Sequence, residues 1–284
     1  MAKNIFATSW HTGGANAIAP VIRRLGEDGK VHLNVLGYDA SEDVFRRAGV
    51  EYRRLGDYGL HDVSPHSARI MLLVHQPGLV LTGKSIQNKR ENLRTVLEQS
   101  MAVAAKEIGI PTVAVTDFWT GNRECFSDVF TGELFAYLPD RVTAIDRHAK
   151  EDMLREGFPE ERIVVTGNPH FDDLIDLREG FTEEDRRQVR RDLGLGENSY
   201  VIMFASQYIE SHYGNSLGYT EKTVLRDIFE ALQQIDKPQR GREVLVKAHP
   251  TRENEGELRA VCSGFGEGFV VVKKYDPRRA FMAS

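Results

Sequence analysis

The sequence predicts an α/β fold of two consecutive domains, each a parallel sheet covered by helices, with a cleft where they meet. Short apolar runs that end at a glycine or a polar residue alternate with segments of helical period, and such alternation implies right-handed crossovers between parallel strands. The stretch from Arg162 to Asp172 closes one series of these units: its β-branched run meets Gly167-Asn168-Pro169, where Gly167 can take positive φ and Pro169 has fixed φ and no donor, so a buried strand is forced into a turn. A polar helical tract from Thr182 to Leu193 follows, and a second series opens at Tyr200. The expected boundaries are therefore 1–172 for the first domain, 173–198 for a connecting helical segment and 199–284 for the second domain.

Within the first series, Asn4 to Ser9 is a strand, Trp10 to Gly14 a loop and Ala15 to Leu25 a helix ending near Gly26. Strand, glycine loop and helix together can aim backbone N–H groups at an anion, which makes His11, Thr12, Gly13 and Gly14 candidates. The adjacent glycines have neither the dinucleotide nor the P-loop spacing, so a plain tight turn explains them equally well. Pro20 either kinks that helix or marks its true start. His32 to Leu36 is a strand, Ser41 to Ala48 a helix capped by Asp39 or Ser41, and Val50 to Leu55 a third strand. A loop leads to the helix Ser67 to His75, and the next strand runs into Gly83-Lys84-Ser85, which is not read as a P-loop although Lys84 and Ser85 lie at a strand's end.

Asn92 to Ile108 reads as one amphipathic helix, its stripe formed by Leu93, Val96, Leu97, Met101 and Ala104. Ile110 to Thr116 is apolar enough to be buried on both faces, and it delivers Asp117 to the carboxyl edge of the sheet, where ligands bind in open α/β folds. Capping the next loop is the other role open to Asp117. Leu138 to Ile145 is a strand, and Asp146 caps a helix to Arg155. The second series reads as strands Tyr200 to Ala205, Glu243 to Ala248 and Phe269 to Lys273, with helices Thr220 to Ile235, Arg252 to Val261 and one from Asp276. The loop Ser206 to Tyr219, carrying His212, is long and polar for a connection and favours binding. At the end of the middle strand, Lys247, His249 and Arg252 form a group suited to phosphate, unless they merely end an alternating strand at Pro250.

Composition narrows the function. With 284 residues, 41% hydrophobic and 28% charged, the chain is an ordinary globular protein, and its net charge of −5 gives no general attraction for nucleic acid. Two distant cysteines, Cys125 and Cys262, supply neither a disulfide framework nor a zinc signature. Neither a metal nor a cofactor is expected. The same two cysteines make a reducing cytoplasm the expected compartment; no apolar run approaches the roughly 20 residues that span a bilayer, and peripheral attachment to the inner membrane face is left open.

Four stretches carry a resemblance to a known superfamily. His11 to Pro20 is similar to the opening glycine-rich loop and helix of UDP-N-acetylglucosamine 2-epimerase; Glu156-Gly157 with Arg162 to Asp172 is close to its interdomain Thr-Gly-Asn motif; Ile108 to Asp117 and Val246 to Pro250 match its corresponding strand ends. The chain thus resembles the superfamily that holds this epimerase and the GT-B glycosyltransferases, including glycerophosphate transferases. The resemblance implies two Rossmann-like domains of GT-B type, an acceptor-side first domain and a donor-side second domain. It also implies a nucleotide-sugar donor linked to UDP or CDP and, for a transferase, a glycan or lipid-linked acceptor in surface glycan synthesis.

Departures bear on the reaction. Gly83-Lys84-Ser85 stands where the epimerase has Gly-Asp-Thr, and Asp117 where it has a catalytic glutamate. Losing a carboxylate weakens proton movement at a sugar carbon and leaves transfer or hydrolysis less affected. The expected function is therefore a glycosyltransferase-like one, with Asp117 or His11 as base and Thr12, Gly13, Gly14, Gly83, Lys84, Ser85, Gly167, Asn168, His212, Lys247, His249 and Arg252 on the substrate. A 2-epimerase, a nucleotide-sugar hydrolase and a non-catalytic sugar-nucleotide-binding module are the alternatives. The resembled families continue past this chain's last helix, so the second domain is expected to be incomplete, the chain a fragment or a truncated relative, and its exposed sheet edge a route to homo-oligomers.

Overall fold

The computed structural model describes residues 3–89, 91–235, 241–250 and 253–284, and it divides into two compact units, Met1–Asp173 and Leu174–Ser284. In the first unit, strands β1 (Lys3–Ser9), β2 (Val31–Gly37), β3 (Leu79–Thr82), β4 (Thr112–Ala114), β5 (Arg141–Ala144) and β6 (Ile163–Val165) form one six-stranded sheet. Its order is β2-β1-β3-β4-β5-β6, parallel throughout.

Side chains alternate across a strand, so β1 serves two cores. Ile5 and Ala7 pack with Ala15, Ile18 and Ile22 of helix α1 (Thr12–Asp28) and Val44 and Phe45 of α2 (Ala40–Arg47). Phe6 packs on the other face with Met71 and Leu72 of α3 (Pro65–His75) and Leu97 and Met101 of α4 (Leu97–Ile108). After the short α5 (Asn122–Cys125), α6 (Arg147–Arg155) adds Ala149 and Met153 to Val142 and Ala144. Asp146 caps α6 as expected, accepting from the Ala149 N–H. Pro20 sits inside α1, which runs on to Gly29 in the left-handed region at φ 63°.

Two expected elements differ. Val50 to Leu55 is no strand: only Arg53 bridges to Leu36, because the inward and outward alternation of Val50, Glu51, Tyr52 and Arg53 breaks at Arg54, and Leu55 already opens a 3-10 turn. The helix expected from Asn92 begins at Leu97, since Asn92 takes φ 52° and the pairing of Asn88 with Leu93 holds the preceding residues in a loop.

The second unit begins within α7 (His170–Gly180) and continues with α8 (Glu183–Leu193), capped by Thr182, whose hydroxyl accepts from the Asp185 N–H. Strands β7 (Tyr200–Ala205), β8 (Arg242–Lys247) and β9 (Phe269–Val272) make a smaller parallel sheet in the order β7-β8-β9. The polar stretch after β7 holds a short helix, α9 (Ile209–Tyr213). Leu225 and Phe229 of α10 (Glu221–Gln233) and Leu258 of α11 (Glu255–Ser263) cover one face. Val189 and Leu193 of α8, with Ala280 and Ala283 of α12 (Pro277–Ala283), cover the other.

Arg190 ties that second face together. Its buried guanidinium donates to the carbonyls of Ala283 (2.9 Å), Gly196 (2.9 Å), Glu197 (2.9 Å) and Ser199 (3.0 Å). An Arg190→Ala variant strands these acceptors, and a loss on the order of 3 kcal/mol is expected in urea denaturation of the whole chain. An unchanged midpoint would contradict this role.

Candidate active site at the carboxyl edge of the first sheet

The loops that follow β1, β3 and β4 meet at the carboxyl edge of the sheet, and the glycines explain how they come so close. A Cβ on Gly83 would lie 2.7 Å from the Gly14 Cα and 2.6 Å from the Ser9 Oγ, and one on Gly14 would lie 3.0 Å from the Lys84 nitrogen. The first turn of α1 therefore rests on the backbone after β3. Gly83→Ala has backbone rather than a flexible side chain in its way, so about 1–3 kcal/mol of destabilisation is expected by thermal melting. A wild-type melting temperature would show that the loops have room to part.

Gly13 has a different neighbour: its Cβ would stand 1.9 Å from the Asp117 Oδ2, so the carboxylate occupies the space the glycine leaves. Lys84, only 9% exposed, places its ammonium 3.6 Å from the Asp117 Oδ1. That ammonium donates to the Asn122 Oδ1 at 2.8 Å and to the carbonyls of Thr120 at 3.3 Å and Phe118 at 3.5 Å. Asn168, after β6, donates to the Asp117 carbonyl at 3.3 Å and accepts from the His170 N–H at 3.1 Å, while Gly167 before it takes φ 87°. His11 caps α1 without a side-chain hydrogen bond to the helix, half-buried with its ring 5.8 Å from that of Trp10, and Thr12 is exposed.

Gly78 and Gly83-Lys84-Ser85 do have the Gly-x4-Gly-Lys-Ser spacing of a P-loop, so spacing does not exclude one. The structure does. Residues Leu79–Thr82 are strand β3 rather than a phosphate-wrapping loop, the next helix begins only at Leu97, and Lys84 is turned to side-chain and main-chain oxygens.

Two site residues escape the sequence reading. Glu98, in the first turn of α4, is buried and accepts from the Ser9 hydroxyl at 3.1 Å and the Trp10 N–H at 2.8 Å, which fixes the loop leading to the glycines. Its other oxygen, the Ser85 Oγ and the Gln99 Oε1 are buried without a hydrogen bond among the described residues, and the three side chains share a cavity of about 10 Å³. That volume suits one water-sized group and no sugar. Asn122 is the other, bridging Lys84 and the Trp119 carbonyl. A carboxylate beside Leu97 is the only trace of Glu98 in the sequence.

In the second unit Lys247 is buried and donates to the carbonyls of Ala248 (2.7 Å) and Lys273 (2.8 Å), and desolvation lowers its pKa. The His249 ring stands edge-on to Tyr208 with centroids 4.5 Å apart, and its backbone N–H donates to Glu253, which also accepts from the Ser206 hydroxyl. Arg252 lies outside the described residues, and for His212 only the backbone within α9 is described. Among the described residues no group of three or more His, Cys, Asp or Glu is placed to hold a metal, and no helix is long and apolar enough to cross a membrane.

No family model matches the sequence, and no curated protein matches it. Solved structures do match the fold. A UDP-GlcNAc 2-epimerase of Neisseria meningitidis bound to UDP-GlcNAc superposes with a TM-score of 0.67 at 15% identity, over 99% of this chain and 74% of that one. A putative UDP-N-acetylglucosamine 2-epimerase of Listeria monocytogenes gives 0.66 at 16% identity, over 99% and 72%. The Methanocaldococcus jannaschii UDP-GlcNAc 2-epimerase in complex with UDP-GlcNAc and UDP gives 0.57 at 16%, over 98% and 75%. The expected GT-B-like α/β fold, with a larger and a smaller parallel sheet, is the fold found.

Proposed function

We propose that the chain acts on a nucleotide-linked sugar, with Asp117 as the base. The observation that carries this reading is the Asp117 carboxylate itself: it stands at the end of β4 against Gly13 of α1, beside the buried ammonium of Lys84, and its Oδ1 has no hydrogen-bond partner among the described residues. Oδ1 is itself buried against Lys84, but the side chain as a whole stays 23% exposed, so a sugar can still bring a proton to this carboxylate. The likeness in fold to proteins solved with UDP-GlcNAc and UDP supports a UDP-linked substrate.

A 2-epimerase type of reaction, needing no acceptor, stands first because the structures reported above are 2-epimerases. Transfer to a glycan or lipid-linked acceptor stands second. The ion pair of Lys84 with Asp117 favours it, since one base can activate an acceptor hydroxyl while a cation answers the departing diphosphate. Proton NMR of UDP-GlcNAc incubated with the protein in D2O separates the readings. Deuterium at the sugar C2 is the epimerase result, consumption only with an added acceptor is the transferase result, and no consumption of UDP-, CDP- or GDP-sugars under either condition would overturn the proposal.

A further inference from the structure

The loop that carries Asp117 is held more firmly than a connection requires. Each of four consecutive carbonyls accepts a hydrogen bond from a side chain: Asp117 from Asn168 (3.3 Å), Phe118 from Lys84 (3.5 Å), Trp119 from Asn122 (3.0 Å) and Thr120 from Lys84 (3.3 Å). All three donor residues are buried. The indole N–H of Trp119 donates in turn to the Asp146 carboxylate at 2.7 Å, which sets the ring's orientation.

This clamped loop nevertheless leaves Phe118 56% exposed. A mobile loop would let such a ring fold back onto the apolar surface; here the backbone is fixed and the ring is presented to solvent. Its ring centroid is 5.8 Å from that of Trp119 at 78°, and Trp119 is 6.0 Å from the exposed Phe171 at 32°, so the three rings form a continuous ridge starting one residue from Asp117.

Resting on the reading of Asp117 as a base that works on a sugar, we propose that Phe118, backed by Trp119 and Phe171, is a stacking platform for the sugar ring whose proton Asp117 takes. The face of an aromatic ring is negative and suits the weakly positive C–H face of a pyranose, while the hydroxyls at the ring's rim fall to the neighbouring carboxylate. Apolar face and acceptor side by side form the composition a sugar needs. A nucleobase also stacks on aromatic rings and can donate its N–H groups to a carboxylate, but it has no sugar C–H or hydroxyl for a base to act on, so the reading of Asp117 as a base favours the sugar.

The chain has two tryptophans, Trp10 and Trp119, so Trp10→Phe makes Trp119 the sole tryptophan, whose emission is excited selectively over that of the tyrosines. Titration of this variant with UDP-GlcNAc is expected to change Trp119 emission, and UDP alone is expected to change it little. Adding Phe118→Ala should weaken UDP-GlcNAc binding about tenfold and leave UDP binding unchanged, whereas Phe118→Tyr should bind as the parent. Equal losses for UDP and UDP-GlcNAc would overturn the proposal in favour of a base platform, and no loss for either would overturn it outright. If the parent binds neither nucleotide, methyl glycosides of glucose and N-acetylglucosamine decide: quenching of Trp119 that Phe118→Ala abolishes sustains the platform while the nucleotide reading fails, and no quenching ends both.

Discussion

Replacing Lys84 by methionine is expected to destabilise the first unit by roughly 3 kcal/mol and to abolish turnover. Methionine keeps much of the stem's volume, so the effect isolates the ammonium. Its loss leaves the buried Asn122 Oδ1 without its 2.8 Å donor and the carbonyls of Phe118 and Thr120 without theirs, and it removes the cation beside Asp117. Buried acceptors left unpaired cost about 1–3 kcal/mol each, and the costs overlap where the groups relax together. Lys84→Arg should not restore the protein, because a planar fork does not reproduce a compact ammonium reaching three oxygens in one pocket. Urea denaturation checks the first part; a loss below about 1 kcal/mol would mean that the loop oxygens find other donors.

Asp117→Asn is expected to lower turnover by about 10²–10⁴-fold while sugar-nucleotide binding changes little, since the amide keeps the shape and removes the base. The Asn168 bond to residue 117 is made to its backbone carbonyl, so the clamp on the loop survives the substitution. Turnover and affinity measured separately on the same preparation distinguish the roles. Wild-type turnover would reduce Asp117 to a loop residue paired with Lys84.

Much of this architecture is legible in the sequence because local rules govern it. The apolar run from Tyr200 to Ala205 matches β7 residue for residue, and Asp146 and Thr182 cap α6 and α8, where helices need acceptors. Val50 to Leu55 fails because its alternation imitates a strand, whereas the chain pairs there only at Arg53 and turns at Leu55. Asn92 fails because a helical period extends backward through a loop that left-handed backbone has already broken.

The site is legible in part for the same reason. Strand ends mark Gly83, Lys84, Asp117 and Asn168 as candidates, and the structure places them around one loop. What Lys84 touches is another matter: its partners lie 34 to 38 residues away, a separation that no period or motif encodes. Glu98 is hidden by its neighbours, since a carboxylate in an apolar stripe reads as a solvated face until the Trp10 N–H is found against it. The glycines show the converse, with a visible pair, Gly13-Gly14, whose purpose emerges only when Gly83 and Asp117 fill the space their missing side chains leave.

A crystal structure of the protein soaked with UDP-GlcNAc tests the central claim most directly. The sugar ring is expected within hydrogen-bond reach of the Asp117 carboxylate and against the face of Phe118. Density for the nucleotide sugar with its ring remote from Asp117, or no density at millimolar ligand, would contradict it.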